Sequence, residues 1–283
     1  MKTIEFGSKA YRVAENWAEL TTEQYVQLIL CPRLKADGSF DTVEHQAAAC
    51  RVWLGMSPRV WRDLIITPWQ WGQLRQQFAW LFNTAPEGKP PLMSFECGGV
   101  NYHLPAADMA DTTGADLAAA NMAYLEFAAP PEDGVTDVDS KTKALNQLVA
   151  ILCRPRRKDW RKFMNSDEWN GDVREPFNEA RAQAHAEQLD KLPLNLKMLV
   201  LDYFERSNNA FLALYGELFG KSREPRYQDG RGWVMLLKNV AKDGHFGDYE
   251  KVCTMPAHLL FASLLDDLLN QQEAQEREKA QHP

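Results

Sequence analysis

Residues 94–113 repeat the pattern of residues 3–22 at a constant offset of 91, without a gap and with five identities in 20 positions. The identical pairs are Glu5/Glu96, Gly7/Gly98, Tyr11/Tyr102, Thr21/Thr112 and Thr22/Thr113, while Thr3/Ser94, Ile4/Phe95 and Val13/Leu104 keep their character. Short β-prone runs on either side of a Gly-containing connector read as a hairpin, and Gly98-Gly99 is a strong two-residue turn. Farther on, Cys50-Arg51 matches Cys153-Arg154 after a 12-residue shift, about the size of the Pro/Gly/Asp-rich connector Ala129–Asp139. The competing explanation is that hairpin-to-helix junctions share turn and capping residues for local reasons. A repeat constrains the architecture before any other signal. This one predicts a hairpin-plus-helices unit in 1–91, an enlarged second unit in 92–220 and a helical extension in 221–283 whose polar tail frays. An isolated hairpin is marginal in water, so the two hairpins are expected to pair into one small sheet.

Helix signals fill the rest of the chain. Thr21 with Gln24 has the spacing of a capping box, with Leu20 and Tyr25 at the staple positions, and Asp41 with Glu44 repeats the logic. Thr67-Pro68-Trp69-Gln70 supplies an N-cap, a proline at N1 and a Gln at N3, after which Trp71, Leu74, Phe78 and Leu81 follow the helical period. Further helical patterns run over 116–128, 140–153, 175–190, 194–219, 233–242 and 256–269. The fold class that results is mainly α with small β-hairpins, an α+β chain. Five of the nine tryptophans fall between Trp53 and Trp80. At helical spacing they are core or interface material, and Trp69 and Trp80 are candidate partner contacts.

The chemistry is sparse. The longest compact apolar run, 148–153, is six residues, against the roughly 20 a membrane helix needs, and the acid at Glu5 falls where a secretory leader would be apolar. These features predict a cytoplasmic chain without a membrane partner. The five cysteines, Cys31, Cys50, Cys97, Cys153 and Cys253, include no CxxC pair and read as free thiols. No two histidines have the i, i+4 spacing of a helical zinc site, and the glycine clusters fit no phosphate-binding loop. No catalytic, cofactor or metal residues are therefore assigned, and a non-enzymatic chain is expected. The sharpest polar feature is the run 154–163, in which Arg154, Arg156, Arg157, Lys158, Arg161 and Lys162 surround Trp160 in a chain of net charge −7. It reads either as a solvated loop that neutralises helix ends and surplus acid, or as a basic patch for phosphate backbones with Trp160 available for stacking.

Certain stretches resemble a known group. Asn16-Trp17-Ala18-Glu19-Leu20-Thr21-Thr22-Glu23-Gln24-Tyr25, then Phe95, Gly98, Tyr102 and Leu104-Pro105, then 148–155, and finally Gly232-Trp233 with 241–247 and Val252, are similar to phage and prophage proteins encoded among tail genes. The resemblance implies a tail-assembly role like that of chaperones that coat a tape-measure protein, or a virion-structural role. It also implies a bacterial cytoplasmic or virion-associated location and a phage tail or tape-measure-type partner bound through its apolar helices. Two other readings stay open: a nucleic-acid-associated module using 154–162, and an enzyme with an unfamiliar constellation.

Overall fold

A computed structural model describes residues 1–6, 9–29, 42–84, 92–130, 137–219, 227 and 230–281. The connector residues Gly7 and Ser8, Cys31, the expected cap Asp41, the loop 86–91, residues 131–136 of the long connector and His282 lie outside them. The chain forms two compact units, Met1–Pro91 and Leu92–Pro283. It is mainly helical with two small antiparallel sheets.

The first unit begins with the hairpin β1 (Lys2–Phe6) and β2 (Lys9–Val13), followed by a 3-10 turn at Trp17–Glu19. Helices α1 (Thr22–Ile29), α2 (Thr42–Trp53), α3 (Pro58–Arg62), α4 (Pro68–Phe78) and α5 (Trp80–Asn83) complete it. Two of the three predicted boxes form, the third having its cap Asp41 outside the described residues: Thr21 and Gln24 exchange backbone N–H bonds at 3.1 Å, and Thr67 and Gln70 do so at 2.9 and 3.3 Å. Its core joins Val13, Leu28, Cys50, Trp53, Leu74, Phe78 and Leu81. Trp53 is fully buried, and its indole N–H donates to the Ala14 carbonyl at 2.8 Å.

The second unit repeats the opening. Strands β3 (Ser94–Cys97) and β4 (Val100–His103) form a hairpin, a 3-10 turn follows at Ala107–Met109, and then come α6 (Gly114–Ala128) and α7 (Val138–Leu152). The hairpin registers coincide at the offset of 91, since Ile4 faces Tyr11 and Phe95 faces Tyr102. Each hairpin belongs to its own sheet, the first of two strands and the second of three. Strand β4 pairs with a short third strand, β5 (Arg154–Pro155), through Tyr102 opposite Pro155 and His103 opposite Arg154. The residues just after α7 thus give the second hairpin its third strand.

After β5 come α8 (Trp160–Phe163), α9 (Glu179–Leu189), α10 (Leu194–Leu214), a 3-10 turn at Gly216–Phe219, α11 (Arg231–Asp243), α12 (Tyr249–Thr254) and α13 (Ala257–Gln281). The apolar run 148–153 is wholly buried in α7, which packs on α6 and α9. The described residues of 230–281 are part of the second unit and not a separate extension. Leu237, Val240, Val252, Leu260 and Phe261 of α11–α13 share one core with Leu117, Leu148, Phe204 and Phe211, because the amphipathic faces of these helices find their apolar complement there.

The polar end of α13 is helical as far as Gln281. Residues 270–279 are exposed throughout yet remain helical, as a Gln/Glu/Ala/Lys/Arg sequence of high helix propensity allows, with Arg277 and Glu273 paired at 3.1 Å one turn apart. Surface pairs of this kind contribute little to stability. Ending the chain after Asn270 is therefore expected to lower helical ellipticity in proportion to the residues removed and to shift Tm by less than about 2 °C. A larger drop in thermal denaturation would show that the tail carries packing.

Candidate functional site

The backbone around β5 gathers the polar residues of the second unit. Segment 172–175 runs beside 155–157: Glu175 N–H donates to the Pro155 carbonyl at 2.8 Å, Arg157 N–H donates to the Val173 carbonyl at 3.0 Å, and Arg156 bridges Arg174. Arg154, expected in an exposed basic patch, is 4% exposed. Its guanidinium donates to both carboxylate oxygens of Asp116 and, at 2.7 Å, to Asp172. Asp172 also accepts from Arg174 Nε at 2.7 Å, and Arg174 reaches the Leu152 carbonyl at 2.7 Å and Asp111 at 3.3 Å. Three carboxylates and two guanidiniums thus form one buried network, in which only Arg154 Nε lacks a partner.

Asp116 sits there because it is the N3 residue of a capping box with Thr113 at the start of α6. Burial, the largest single influence, raises its carboxyl, but Arg154, Arg174 and the Thr113 N–H together hold it below the ordinary carboxylate range. Asp111 is pushed the other way: burial raises it and Asp172 adds to the rise, against the pull of Arg174. Burial tends to discharge Arg174, but Asp172 and Asp111 hold it firmly protonated.

The other basic residues separate into two groups. Arg157 pairs with Asp159 at 2.7 Å and lies over the Phe163 ring at 3.6 Å. Arg156, Lys158, Arg161 and Lys162 are exposed and form no ion pair among the described residues. The half-buried Trp160 lies between the guanidiniums of Arg156, at 4.8 Å, and Arg161, at 5.2 Å. In the first unit, Trp69 is 73% exposed, close in sequence to Ile65 at 91%. Trp80 is only partly exposed. It packs against the core and meets Trp17 edge-on at 5.7 Å, because its place just after α4 turns it inward.

The buried network forms part of the floor of an open cleft of about 1380 Å³ within the second unit. Phe163, Trp169, Phe177 and Phe246 line its walls, the first two edge-to-face at 5.4 Å. Asp167, Glu168, Glu179, Asp248 and Glu250 also line it. Among the described residues none of these five makes an ion pair, and Lys251 is the one lining cation without one. Cys50 and Cys153 are poor nucleophiles: burial pushes their thiols up to about 12. His258 is held between the Tyr215 hydroxyl at 3.1 Å and the Asp108 carbonyl at 3.2 Å. Among the described residues no three His, Cys, Asp or Glu side chains are grouped to hold a metal ion, and no helix is long and apolar enough to cross a membrane.

Sequence reasoning missed Asp111, Asp116, Asp172 and Arg174. One signal for Asp116 was present: Thr113-x-x-Asp116 has capping-box spacing and lies one residue beyond the place that the offset of 91 gives to Thr21-x-x-Gln24. Comparisons with protein-family models, with curated proteins and with solved structures find no match to this chain.

Removing the Asp116 charge leaves Arg154 buried with one partner fewer, so Asp116→Asn is expected to cost about 3–5 kcal/mol at neutral pH. The depressed carboxyl stabilises the fold above its unfolded pKa, and this contribution is lost as pH falls through the folded value. The cost of Asp116→Asn in urea denaturation should therefore shrink below about pH 4. Asp111, whose carboxyl is raised, contributes stability that is lost as pH rises, so Asp111→Asn should cost less than Asp116→Asn at pH 7. Equal costs at pH 7, or a cost for Asp116→Asn that does not vary with pH, would contradict this account.

Proposed function

We propose that this chain is a non-enzymatic phage tail assembly protein, chaperone-like or structural, that binds an apolar helical segment of a tail or tape-measure-type partner. The observation that carries the reading is the open aromatic cleft of the second unit. Its one buried lining acid, Asp172, is already committed to Arg154 and Arg174, which suits it to holding the walls in place rather than to proton transfer. Four aromatic rings beside open space are suited to the apolar face of a helix, the arrangement of helix-in-groove recognition. The exposed Ile65 and Trp69 of the first unit offer further apolar contact. The sequence resemblance to tail-cluster proteins supplies the biological setting.

Co-expression with the long tail protein encoded beside it should raise that partner's soluble fraction several-fold and bring it through affinity purification. Phe177→Ser together with Trp169→Ser should remove most of the effect while circular dichroism stays unchanged. A partner equally insoluble with and without the wild-type chain would defeat the proposal.

A second reading is favoured by one observation, the four unpaired cations Arg156, Lys158, Arg161 and Lys162 near Trp160. Under it, a fluorescent single-stranded oligonucleotide binds at low salt and is released as salt rises. Replacing all four cations with Ala abolishes the anisotropy change, and a flat wild-type titration at low salt removes the reading.

A further inference from the structure

The cleft is chemically uneven in a way that specifies its occupant. Its aromatic walls call for apolar side chains, but among the described residues five lining carboxylates without ion pairs face a single unpaired lining cation, Lys251. A purely apolar helix would leave that excess of negative charge uncompensated, and an acidic one would be repelled. The basic residues of the run 154–162 do not neutralise it. Arg154 is consumed in the floor and Arg157 by Asp159, while Arg156, Lys158, Arg161 and Lys162 do not line the cleft. The dimensions also set a limit. A helix 10–12 Å across with a 5.4 Å pitch occupies roughly 400–600 Å³ per turn, so about 1380 Å³ accommodates two to three turns.

We infer that the cleft binds a cationic amphipathic helix, two to three turns long, whose apolar face meets Phe163, Trp169, Phe177 and Phe246 and whose flanking Lys or Arg side chains meet Asp167, Glu168 and Glu250. This rests on the assembly reading above and names the chemistry of the partner segment. Apolar contact supplies most of the affinity, and the carboxylates supply orientation and discrimination against acidic helices.

The test uses the full chain and two labelled synthetic peptides of about ten residues. They share a Leu/Phe face, and one carries Lys on the polar face where the other carries Glu. Fluorescence anisotropy should show binding of the Lys peptide, weakened about tenfold by raising salt from 50 to 500 mM, and little binding of the Glu peptide. The triple variant Asp167→Lys, Glu168→Lys and Glu250→Lys should lose at least tenfold in affinity. The variant Glu273→Lys with Glu276→Lys, which alters exposed acids on α13, should bind like wild type, and so controls for non-specific attraction to a negatively charged protein. Phe177→Ala, which leaves every charge in place, should weaken the Lys peptide at both salt concentrations. Equal binding of the two peptides, or equal loss in the α13 variant and the triple variant, overturns the inference. If the triple variant ignores the peptide but still solubilises the tail partner, the assembly reading survives and this cleft is not its site. If the Lys peptide binds as described while the wild-type chain leaves the tail partner insoluble, the cleft's specificity stands and the assembly reading falls.

Discussion

Arg154 is the point on which the second unit turns. Its guanidinium joins the first turn of α6 through Asp116 to the segment after α8 through Asp172, and Arg174 extends the connection to the end of α7 and to Asp111. Five charges inside a protein are costly to desolvate, and such a group is tolerated only when its hydrogen bonds are nearly complete. Here they are, apart from Arg154 Nε. The network is therefore better understood as a device of specificity than as a source of net stability. It fixes β5 beside β4 and holds 172–175 alongside, and the cleft is shaped by that placement.

The first unit solves the same problem without charge. Gln24, at N3 of its capping box as Asp116 is in the second, turns its amide toward the end of the following helix and donates to the Val52 and Trp53 carbonyls at 3.1 and 3.4 Å. A carboxylate cannot donate to a carbonyl. Where Asp116 stands, an arginine is needed between the two helices, and the terminal carbonyl at Leu152 is met by Arg174 instead. The one-residue difference between an amide and an acid thus accompanies a change from a neutral tie to an ionic one. With the ionic tie come the third strand and the cleft.

This explains what could be read from the sequence and what could not. The hairpins, their registers, the capping boxes and the buried run at the end of α7 follow from local rules of turn chemistry, alternation and helical period, and residues 2–13 and 94–103 show them plainly. The fate of Arg154 is not local. Within the run 154–163 it resembles its cationic neighbours, and only partners 38 and 18 residues away decide that it is buried. The same holds for Trp69 and Trp80: both belong to one apolar pattern, but Trp69 follows Pro68 in the first turn of α4 and points outward, while Trp80 packs on Trp17 from the hairpin end of the unit. The polar tail is hard to read for the opposite reason. Absence of apolar residues removes packing but not helix propensity, and the end of α13 continues on propensity alone.

The charge balance takes on a different meaning once these placements are known. A net charge of −7 spread evenly would say little about partners. Instead, the second unit consumes Arg154, Arg157 and Arg174 in internal pairs, sets its unpaired cations on the α8 segment, and leaves unpaired carboxylates around the aromatic cleft. A surface divided in this way discriminates by sign as well as by shape. The same aromatic walls that would accept many apolar helices are surrounded by charges that admit only some of them. Because the arginines in the floor are fixed by their own acids, an entering cation is not repelled by free positive charge from below. The buried network and the acidic lining therefore act together: the first neutralises what the second would otherwise have to overcome.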